Sequence, residues 1–296
     1  MGFLYFAWDS VTPYVILDNE DRIIIVLLGR PREDEAVPFK DRYTTAMARL
    51  AVKLDDGRGR VEHVLRGGRR GDFGTISVGT SYGGGQKAPC PLSVKGVKAK
   101  LADELLNDKD AQRVAGFGSA GLSSYFPKVH KHMVNALEEL YRRIPSLKKN
   151  FHNSDYPACT FNLGPDTVCF LHNDCANFPG IPCVVTALDN FDADYGGDLV
   201  LWELMLRIRF PAALSIALPS AGCGHGNTDI RPGEKRFSLT QYCAGGIMRW
   251  AGRGFRPSSS LWAAQLSRFS KFKDLRRDRE ELVQWEAERR AHRSGA

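Results

Sequence analysis

Short apolar runs separated by turn residues recur through the second half of the chain. Each run has the length of a β-strand, and several alternate apolar with polar positions. About seven or eight such strands with turns between them are typical of a β-barrel and not of alternating β–α units. The predicted strands lie at residues 167–171, 183–188, 198–206, 208–210, 213–219, 237–242 and 245–250. We therefore predict an α+β protein with a double-stranded β-helix core of the jelly-roll or cupin kind and flanking helices.

Helical spacing is more prominent before residue 150. Residues 15–17 and 23–28 predict a β-hairpin, whereas 43–54, 97–114 and 128–143 have the apolar spacing of helices. We expect the apolar stripe of the last helix to pack against the barrel wall. The glycine-rich residues 116–121 match a dinucleotide-binding fingerprint by letter. Because they follow a predicted helix and not a strand, we interpret them as a loop.

This pattern suggests three parts. Residues 1–150 form a mixed α/β part that packs on the barrel and carries a basic, glycine-rich loop. Residues 151–256 form the double-stranded β-helix, and residues 257–296 form a charged helical segment with an intermittent apolar face.

Candidate metal ligands follow the first predicted strand of the core. His172 and Asp174 are two residues apart, so on an extended chain they project to the same side. A second histidine, His225, comes far enough along the chain for several strands to run out and back. Two histidines and one carboxylate on one face of iron(II) leave its other face open to a co-substrate and dioxygen. Singly, each residue would be unremarkable, and it is their joint order that favours an oxygenase site.

A candidate anion-binding pair follows the distal histidine. Arg236 and Ser238 lie two apart on the next predicted strand, so the guanidinium and the hydroxyl can point together at one carboxylate. We interpret the pair as the binding site for the distal carboxylate of 2-oxoglutarate, with Ser238 as the weaker of the two candidates.

Residues 156–256 also resemble the fungal branch of the TET/JBP dioxygenases, which depend on 2-oxoglutarate and iron(II). The resemblance rests on a series of short motifs: His172-Asn173-Asp174, Gly196-Gly197-Asp198-Leu199, Phe210-Pro211, Pro219-Ser220, His225-Gly226-Asn227, Gly233-Glu234-Lys235-Arg236 and Gln241-Tyr242-Cys243-Ala244-Gly245-Gly246. An upstream block around Gly83-Gly84-Gly85-Gln86 is also similar. The sequence departs from the family at Ala221-Gly222-Cys223-Gly224, which is smaller and more flexible than expected.

The resemblance implies a ligand set and a reaction. His172, Asp174 and His225 would hold iron, and Arg236 would anchor 2-oxoglutarate, with Ser238 assisting. The implied reaction oxidises the methyl group of 5-methylcytosine, or less often thymine, in DNA. Because that methyl is out of reach inside a duplex, the nucleotide would be flipped out. We name four residues as candidates for the base pocket: Asn162, Asn177, Phe178 and Tyr242.

Charge is consistent with a nucleic-acid partner but does not require one. The 296 residues carry a net charge of +7, which favours phosphate contacts. Basic residues cluster in two stretches, and a flexible loop that follows a DNA backbone would suit the first. The members are Arg58, Arg60, Arg66, Arg69 and Arg70, then Lys87, Lys95, Lys98 and Lys100.

Cysteine usage points to a reducing compartment. The seven cysteines are odd in number and lack the paired spacing of a zinc site, so we expect reduced core thiols in an intracellular protein. With DNA as the expected partner, we expect that protein to be nuclear. A zinc site of Cys223, Cys243 and His225 is disfavoured for the same reason. No apolar run has the length of a signal peptide or membrane span, so no membrane association is expected. The oligomeric state is left open.

Three other interpretations remain open on sequence. The first is a 2-oxoglutarate oxygenase that acts on thymine, RNA or protein. The second is a non-catalytic nucleic-acid-binding derivative of such an enzyme, against which the intact ligand set argues. The third is a cupin-like binding or storage protein, which would hold metal without turning over a co-substrate.

Overall fold

A computed structural model describes residues 2–257 of the chain. The residues through Arg249 form one compact unit, and a second unit begins at Trp250. The helical segment predicted for residues 257–296 lies outside the described residues, apart from residue 257.

Two sheets make up the β-structure of the first unit. The larger has eight strands paired antiparallel throughout: in order across the sheet, β2 (Tyr14–Leu17), β3 (Ile23–Gly29), β10 (Ser215–Leu218), β7 (Cys183–Leu188), β12 (Phe237–Tyr242), β6 (Ala158–Asn162), β4 (Thr75–Ser81) and β5 (Cys90–Pro91). The smaller consists of β1 (Leu4–Phe6), β9 (Leu206–Ile208), β8 (Leu199–Leu201) and β11 (His225–Asn227), with β1 parallel to β9. Strands from before residue 150 thus extend the larger sheet at both edges, so the boundary drawn there falls inside one sheet.

Helices cover one face of the larger sheet. They are α1 (Tyr43–Val61), α2 (Val97–Leu106), α3 (Lys109–Tyr125) and α4 (Pro127–Arg143). A further helix, α5 (Gly245–Gly252), follows β12 along the chain. The first three pack on the sheet through a core that includes Leu50, Leu101, Val114, Phe161 and Leu239, all nearly inaccessible to solvent. The fourth, which the sequence predicts to pack against the barrel wall, packs mainly on α3. Among the described residues, no helix combines the length and apolarity needed to span a bilayer.

The helix predicted over residues 97–114 is divided in two. The break lies at Asp108, whose carboxylate accepts the backbone N–H groups of Asp110 and Ala111 at 2.9 and 3.0 Å. An aspartate in that position caps a new helix, so a cap within the apolar pattern marks a helix start that the pattern alone conceals.

The loop predicted at residues 116–121 is wrong, because these residues lie inside α3. Their glycines allow close approach to the sheet. A Cβ at Gly118 would lie 2.7 Å from Gln241 Nε2 and 2.9 Å from Val184 Cγ1, and one at Gly121 would lie 2.6 Å from Leu28 Cδ1. The glycines therefore serve helix–sheet packing, which outweighs their low helix propensity.

The strand predicted at residues 245–250 is also wrong, because this segment forms α5. Ile247 and Met248 are both buried. A short, continuously apolar run has no period that separates a buried strand from a buried helix, and this was the source of the error.

The larger sheet has two differently composed halves on the face opposite the helices. At the β3, β10 and β7 end, Ile25, Leu27, Ile216 and Leu218 pack with residues of the smaller sheet. At the β12, β6 and β4 end, the residues of the same face are hydroxyl and amide side chains. The sandwich is therefore closed by apolar packing at one end and left polar at the other.

We expect Gly118→Ala to destabilise the fold by about 1–3 kcal/mol, the typical cost of overpacking. Gln241 cannot move aside freely, since it accepts from Ser154 Oγ at 2.6 Å and donates to the carbonyl oxygen of Ala115 at 3.1 Å. Gly59 of α1 is the control, because a Cβ there meets nothing within 4 Å. Gly59→Ala should stabilise by about 0.5–1 kcal/mol. Urea unfolding measures both, and equal shifts would contradict the packing role of Gly118.

Candidate active site

The segment that precedes the first candidate ligand is not the regular strand predicted at residues 167–171. It is extended and crosses from one sheet to the other. Near its start, the Thr167 N–H donates to the carbonyl oxygen of Arg236 at 3.0 Å. Further along, the Asn227 N–H of β11 donates to the carbonyl oxygen of Cys169 at 2.8 Å. Because its partners belong to both sheets, no continuous ladder forms.

This segment ends opposite the second candidate ligand. His172 and His225 form an isolated antiparallel bridge, with each N–H donating to the other's carbonyl oxygen at 3.0 Å. Gly226 permits the approach, because a Cβ there would lie 2.8 Å from the Cys169 carbonyl oxygen. The two imidazole rings are consequently side by side, with centroids 4.3 Å apart.

The three predicted iron ligands come together. One ligand atom from each of His172, Asp174 and His225 lies within 4.8 Å of the others, which is close enough to share a metal ion. Each histidine uses Nδ1 to contact a backbone carbonyl oxygen, that of Phe170 at 2.8 Å for His172 and that of Cys223 at 2.9 Å for His225. A carbonyl oxygen only accepts, so Nδ1 carries the proton and Nε2 has its lone pair free for a metal.

The electrostatic setting favours neutral histidines. Burial lowers the pKa of His225, and it also lowers the pKa of His172, where the neighbouring His225 adds to the effect. A neutral imidazole is the form that binds metal.

Asp174 is buried and held by a polar network. Its Oδ2 accepts from Asn177 Nδ2 at 3.3 Å, and the same amide lies 3.3 Å from Ser220 Oγ and 3.2 Å from Cys183 Sγ. Ser220 Oγ in turn donates to Cys183 Sγ at 2.8 Å. Burial raises the pKa of Cys183 to about 12, so its thiol stays protonated. The network orients the carboxylate so that Oδ1 faces His172 Nε2, 3.8 Å away.

Arg70 is a site residue that the sequence analysis placed only in a basic cluster. It stands with Arg69 at the tip of a tight turn closed by reciprocal hydrogen bonds between Gly68 and Gly71, at 3.0 and 3.1 Å. Its guanidinium forms an ion pair with Asp174 Oδ1 at 2.7 Å. Nothing in the sequence signals this contact, since the two residues are distant in the chain.

A cavity of about 360 Å³ joins the three candidate ligands to Arg236. Arg236 is 1% exposed, and no carboxylate of the described residues lies within ion-pair distance of it. Its Nη1 donates to the carbonyl oxygen of Thr167 at 2.5 Å, whereas its Nε has no partner in the described part of the chain. Burial lowers the pKa of Arg236, but that pKa starts so high that the group stays cationic. A buried cation with a free donor in a cavity suits an anionic ligand.

Ser238 and Asn162 share the cavity wall with Arg236. Asn162 Nδ2 donates to Ser238 Oγ at 2.7 Å, so the serine hydroxyl is free to donate in turn. Further polar residues of the wall come from the inward positions of β4, β6 and β12: Thr75, Ser77, Thr160 and Thr240. Their alternation with outward apolar residues, as in Ile76 and Val78, is a sequence pattern that could have identified them.

The other three base-pocket candidates lie elsewhere. Asn177 belongs to the network around Asp174. The Phe178 ring is half-buried, and its backbone N–H donates to the carbonyl oxygen of Cys243 at 2.9 Å. Tyr242 has a pKa raised by burial, and its hydroxyl interacts with Thr160 and Ser77, two residues of the cavity wall. Of the four candidates, Asn162 lines the cavity.

The predicted basic cluster divides into two groups. Arg58 and Arg60 lie on α1 and are neutralised, the first by Asp55 and Glu62 and the second by Glu104. Arg66 and Arg69 are exposed at the rim of the cavity. The arginines that are close in sequence therefore do not form one continuous positive surface.

All seven cysteines are free thiols. Cys223 and Cys243 do not join His225 in a metal-binding group within the described residues, where the group that qualifies is His172, Asp174 and His225.

No protein-family model matches the chain, and the curated proteins also provide no match. Solved structures do. NgTET1 in complex with 5mC DNA is similar with a TM-score of 0.56 at 13% identity, over 83% of this chain and 83% of that one. A 2OG-Fe(II) oxygenase family protein from Burkholderia pseudomallei (15% identity, 74% of this chain and 97% of that one) and a Pseudomonas putida prolyl-4-hydroxylase (16%, 68% and 86%) have TM-scores of 0.35, too low to bear on the fold. The similarity to NgTET1 confirms the fold class, an α+β protein built on a double-stranded β-helix.

We expect Asn177→Ala to weaken binding of iron(II), or of cobalt(II) as its stable substitute, by about 10–100-fold, because the carboxylate of Asp174 loses its orienting amide. Anaerobic calorimetric titration measures the affinity. Asn190→Ala, at an exposed asparagine, is the control and should bind as the unaltered protein does. Equal affinities for both variants would remove Asn177 from this role.

Proposed function

We propose that the protein is an iron(II)- and 2-oxoglutarate-dependent dioxygenase that oxidises the methyl group of 5-methylcytosine in DNA. One observation carries the proposal: an open group of two histidines and an aspartate shares a cavity with a buried arginine that has no carboxylate partner in the described part of the chain.

The residues present fit iron(II). His172, Asp174 and His225 would be its ligands, with both imidazoles neutral and both Nδ1 atoms fixed by backbone carbonyl oxygens. Two nitrogen donors and one carboxylate on a single face are the ligand set of non-haem iron oxygenases. When bound, the iron supplies oxidative chemistry in which dioxygen and 2-oxoglutarate give succinate, carbon dioxide and a hydroxylated substrate.

The cavity also fits 2-oxoglutarate. Arg236 presents a charge-assisted donor, Nε, that has no acceptor among residues 2–257, and the Ser238 hydroxyl in the same cavity wall can donate to the same carboxylate. Phe191 and Phe210 flank the guanidinium, with ring centroids 5.5 and 5.8 Å from its central carbon. These rings keep water away from the anion and so strengthen its attraction to Arg236.

Three features support DNA as the substrate. The similar structure of NgTET1 contains 5mC DNA. The net charge is +7, and arginines stand at the rim of the cavity. The wall further inside is lined by hydroxyl and amide groups, which suit hydrogen bonds to the edge of a flipped base. Among the four residues named for the base pocket, Asn162 is the one we place there.

The test is oxidation of DNA by protein reconstituted anaerobically with iron(II) and then given 2-oxoglutarate and oxygen. We expect 5-hydroxymethylcytosine or its further oxidation products from methylated DNA and none from unmethylated DNA, by mass spectrometry of digested nucleosides. His172→Ala and Asp174→Ala should abolish both the modified base and succinate while circular dichroism stays unchanged. Undiminished turnover in these variants would contradict the site.

The same assay separates the alternatives. Succinate formation without a modified cytosine would keep the oxygenase and direct the search to thymine, RNA or protein. Binding of DNA without succinate would indicate a non-catalytic derivative. Metal binding with neither would indicate a cupin-like binding protein.

We expect Arg236→Met to raise the apparent KM for 2-oxoglutarate by about 10–100-fold, the equivalent of one or two charge-assisted hydrogen bonds. Methionine keeps most of the buried volume, so the fold should persist, and thermal unfolding checks this. Arg22→Met, at a surface arginine paired with Asp18 and Glu20, is the control. An unchanged KM in the Arg236 variant would exclude it as the anchor.

A further inference from the structure

We propose that Phe170 and Leu171 form an apolar wedge that enters the DNA duplex beside the flipped nucleotide. The inference rests on the proposed function and adds to it the surface that opens the duplex.

The wedge consists of two consecutive apolar side chains directed to solvent. Phe170 is 54% exposed and Leu171 is 50% exposed. Isolated exposed apolar residues are common, but these two lie between Cys169 and His172, which both line the cavity of the candidate iron site. Two neighbouring apolar side chains at that place suggest a surface that becomes covered during function.

The backbone beneath the wedge is fixed. The Phe170 N–H donates to the carbonyl oxygen of Arg70 at 2.7 Å, and the Phe170 carbonyl oxygen accepts from His172 Nδ1 at 2.8 Å. An aromatic ring held this way loses little backbone freedom when it binds. The same two bonds tie the wedge to the basic turn on one side and to the candidate iron ligand on the other.

The charge beside the wedge identifies a polyanion as the partner. Arg66 and Arg69 are exposed, and within the described residues no carboxylate lies within ion-pair distance of either. Among the residues that the structure describes, Arg66 donates to the backbone carbonyl oxygens of His63 and Leu65. These two arginines are therefore available for phosphates on a strand that crosses the cavity mouth. An apolar protein surface has no negative groups to pair with these two arginines, so it is a poorer partner than a polyanion.

A wedge serves a site that works on flipped bases. Removing a nucleotide from the stack leaves a gap, and an apolar side chain that fills it retains part of the lost stacking. Such a residue matters for double-stranded DNA and is dispensable where the base is already unstacked.

The test compares variants on three substrates: a methylated single strand, the same strand in a duplex, and a duplex with an abasic site opposite the methylated cytosine. For Phe170→Ser we expect oxidation of the duplex to fall by about tenfold or more, the scale of one lost stacking contact. Oxidation of the single strand should change less than about twofold, and the abasic duplex should recover most of the activity, because the methylated base there has no pairing partner.

Two further variants sharpen the comparison. Phe170→Trp should restore duplex oxidation, since it keeps an aromatic ring at the tip. Phe39→Ser removes another aromatic residue, 73% exposed and outside the cavity wall, and should leave all three substrates unaffected.

The outcomes separate the two proposals. Equal losses on single strand and duplex would assign Phe170 to support of the site and overturn the wedge, as would unchanged duplex oxidation. If the unaltered protein oxidises none of the three substrates, the proposed function itself fails and the wedge fails with it.

Discussion

The reciprocal backbone hydrogen bonds between His172 and His225 place two candidate ligands from distant parts of the chain side by side. Side-chain contacts alone would not hold the two histidines next to each other, because an imidazole on a mobile loop would sample many positions. The bridge works because the segment that carries His172 is bound to both sheets before it reaches β11. Metal binding would then cost little reorganisation at the histidines, since each ring is already oriented by a carbonyl oxygen acting on Nδ1.

The polarity of the larger sheet explains where the cavity lies. In a common two-layer sandwich the inward positions of every strand are apolar. Here the apolar positions of β4, β6 and β12 face the helices, and their polar positions face inward. Thr75, Ser77 and Thr160 therefore line a space that apolar side chains would have filled. At this end of the sandwich, apolar side chains are buried between the larger sheet and the helices, and not between the two sheets. The glycines of α3 allow the close packing that this burial requires.

Burial of Arg236 is the costliest feature of the site. A guanidinium removed from water with one unsatisfied donor is destabilising unless a ligand compensates it. The Thr167 carbonyl oxygen and the two flanking aromatic rings offset part of the cost. The remainder is consistent with a site whose stability increases when an anion binds.

The sequence by itself determined several strands of the core, among them those at residues 183–188 and 237–242, the order of the histidine and aspartate residues, and the arginine that precedes the last strand. These depend on local spacing, which an extended chain converts directly into a shared face. It missed the cap at Asp108, which lies within an apolar pattern that continues past it, and the helix at residues 245–252, whose short apolar run has no period. It also missed the packing glycines of α3, whose contacts are distant in the chain. Only the tertiary structure decided that Arg70 pairs with Asp174, that Asn177 orients this carboxylate, and that Phe170 is exposed beside the cavity. Arg70 and Asp174 are far apart in the chain, so their separation in sequence carries no information about their distance in space. Asn177 is only three residues from Asp174, but its amide also contacts Cys183 and Ser220 from other parts of the chain.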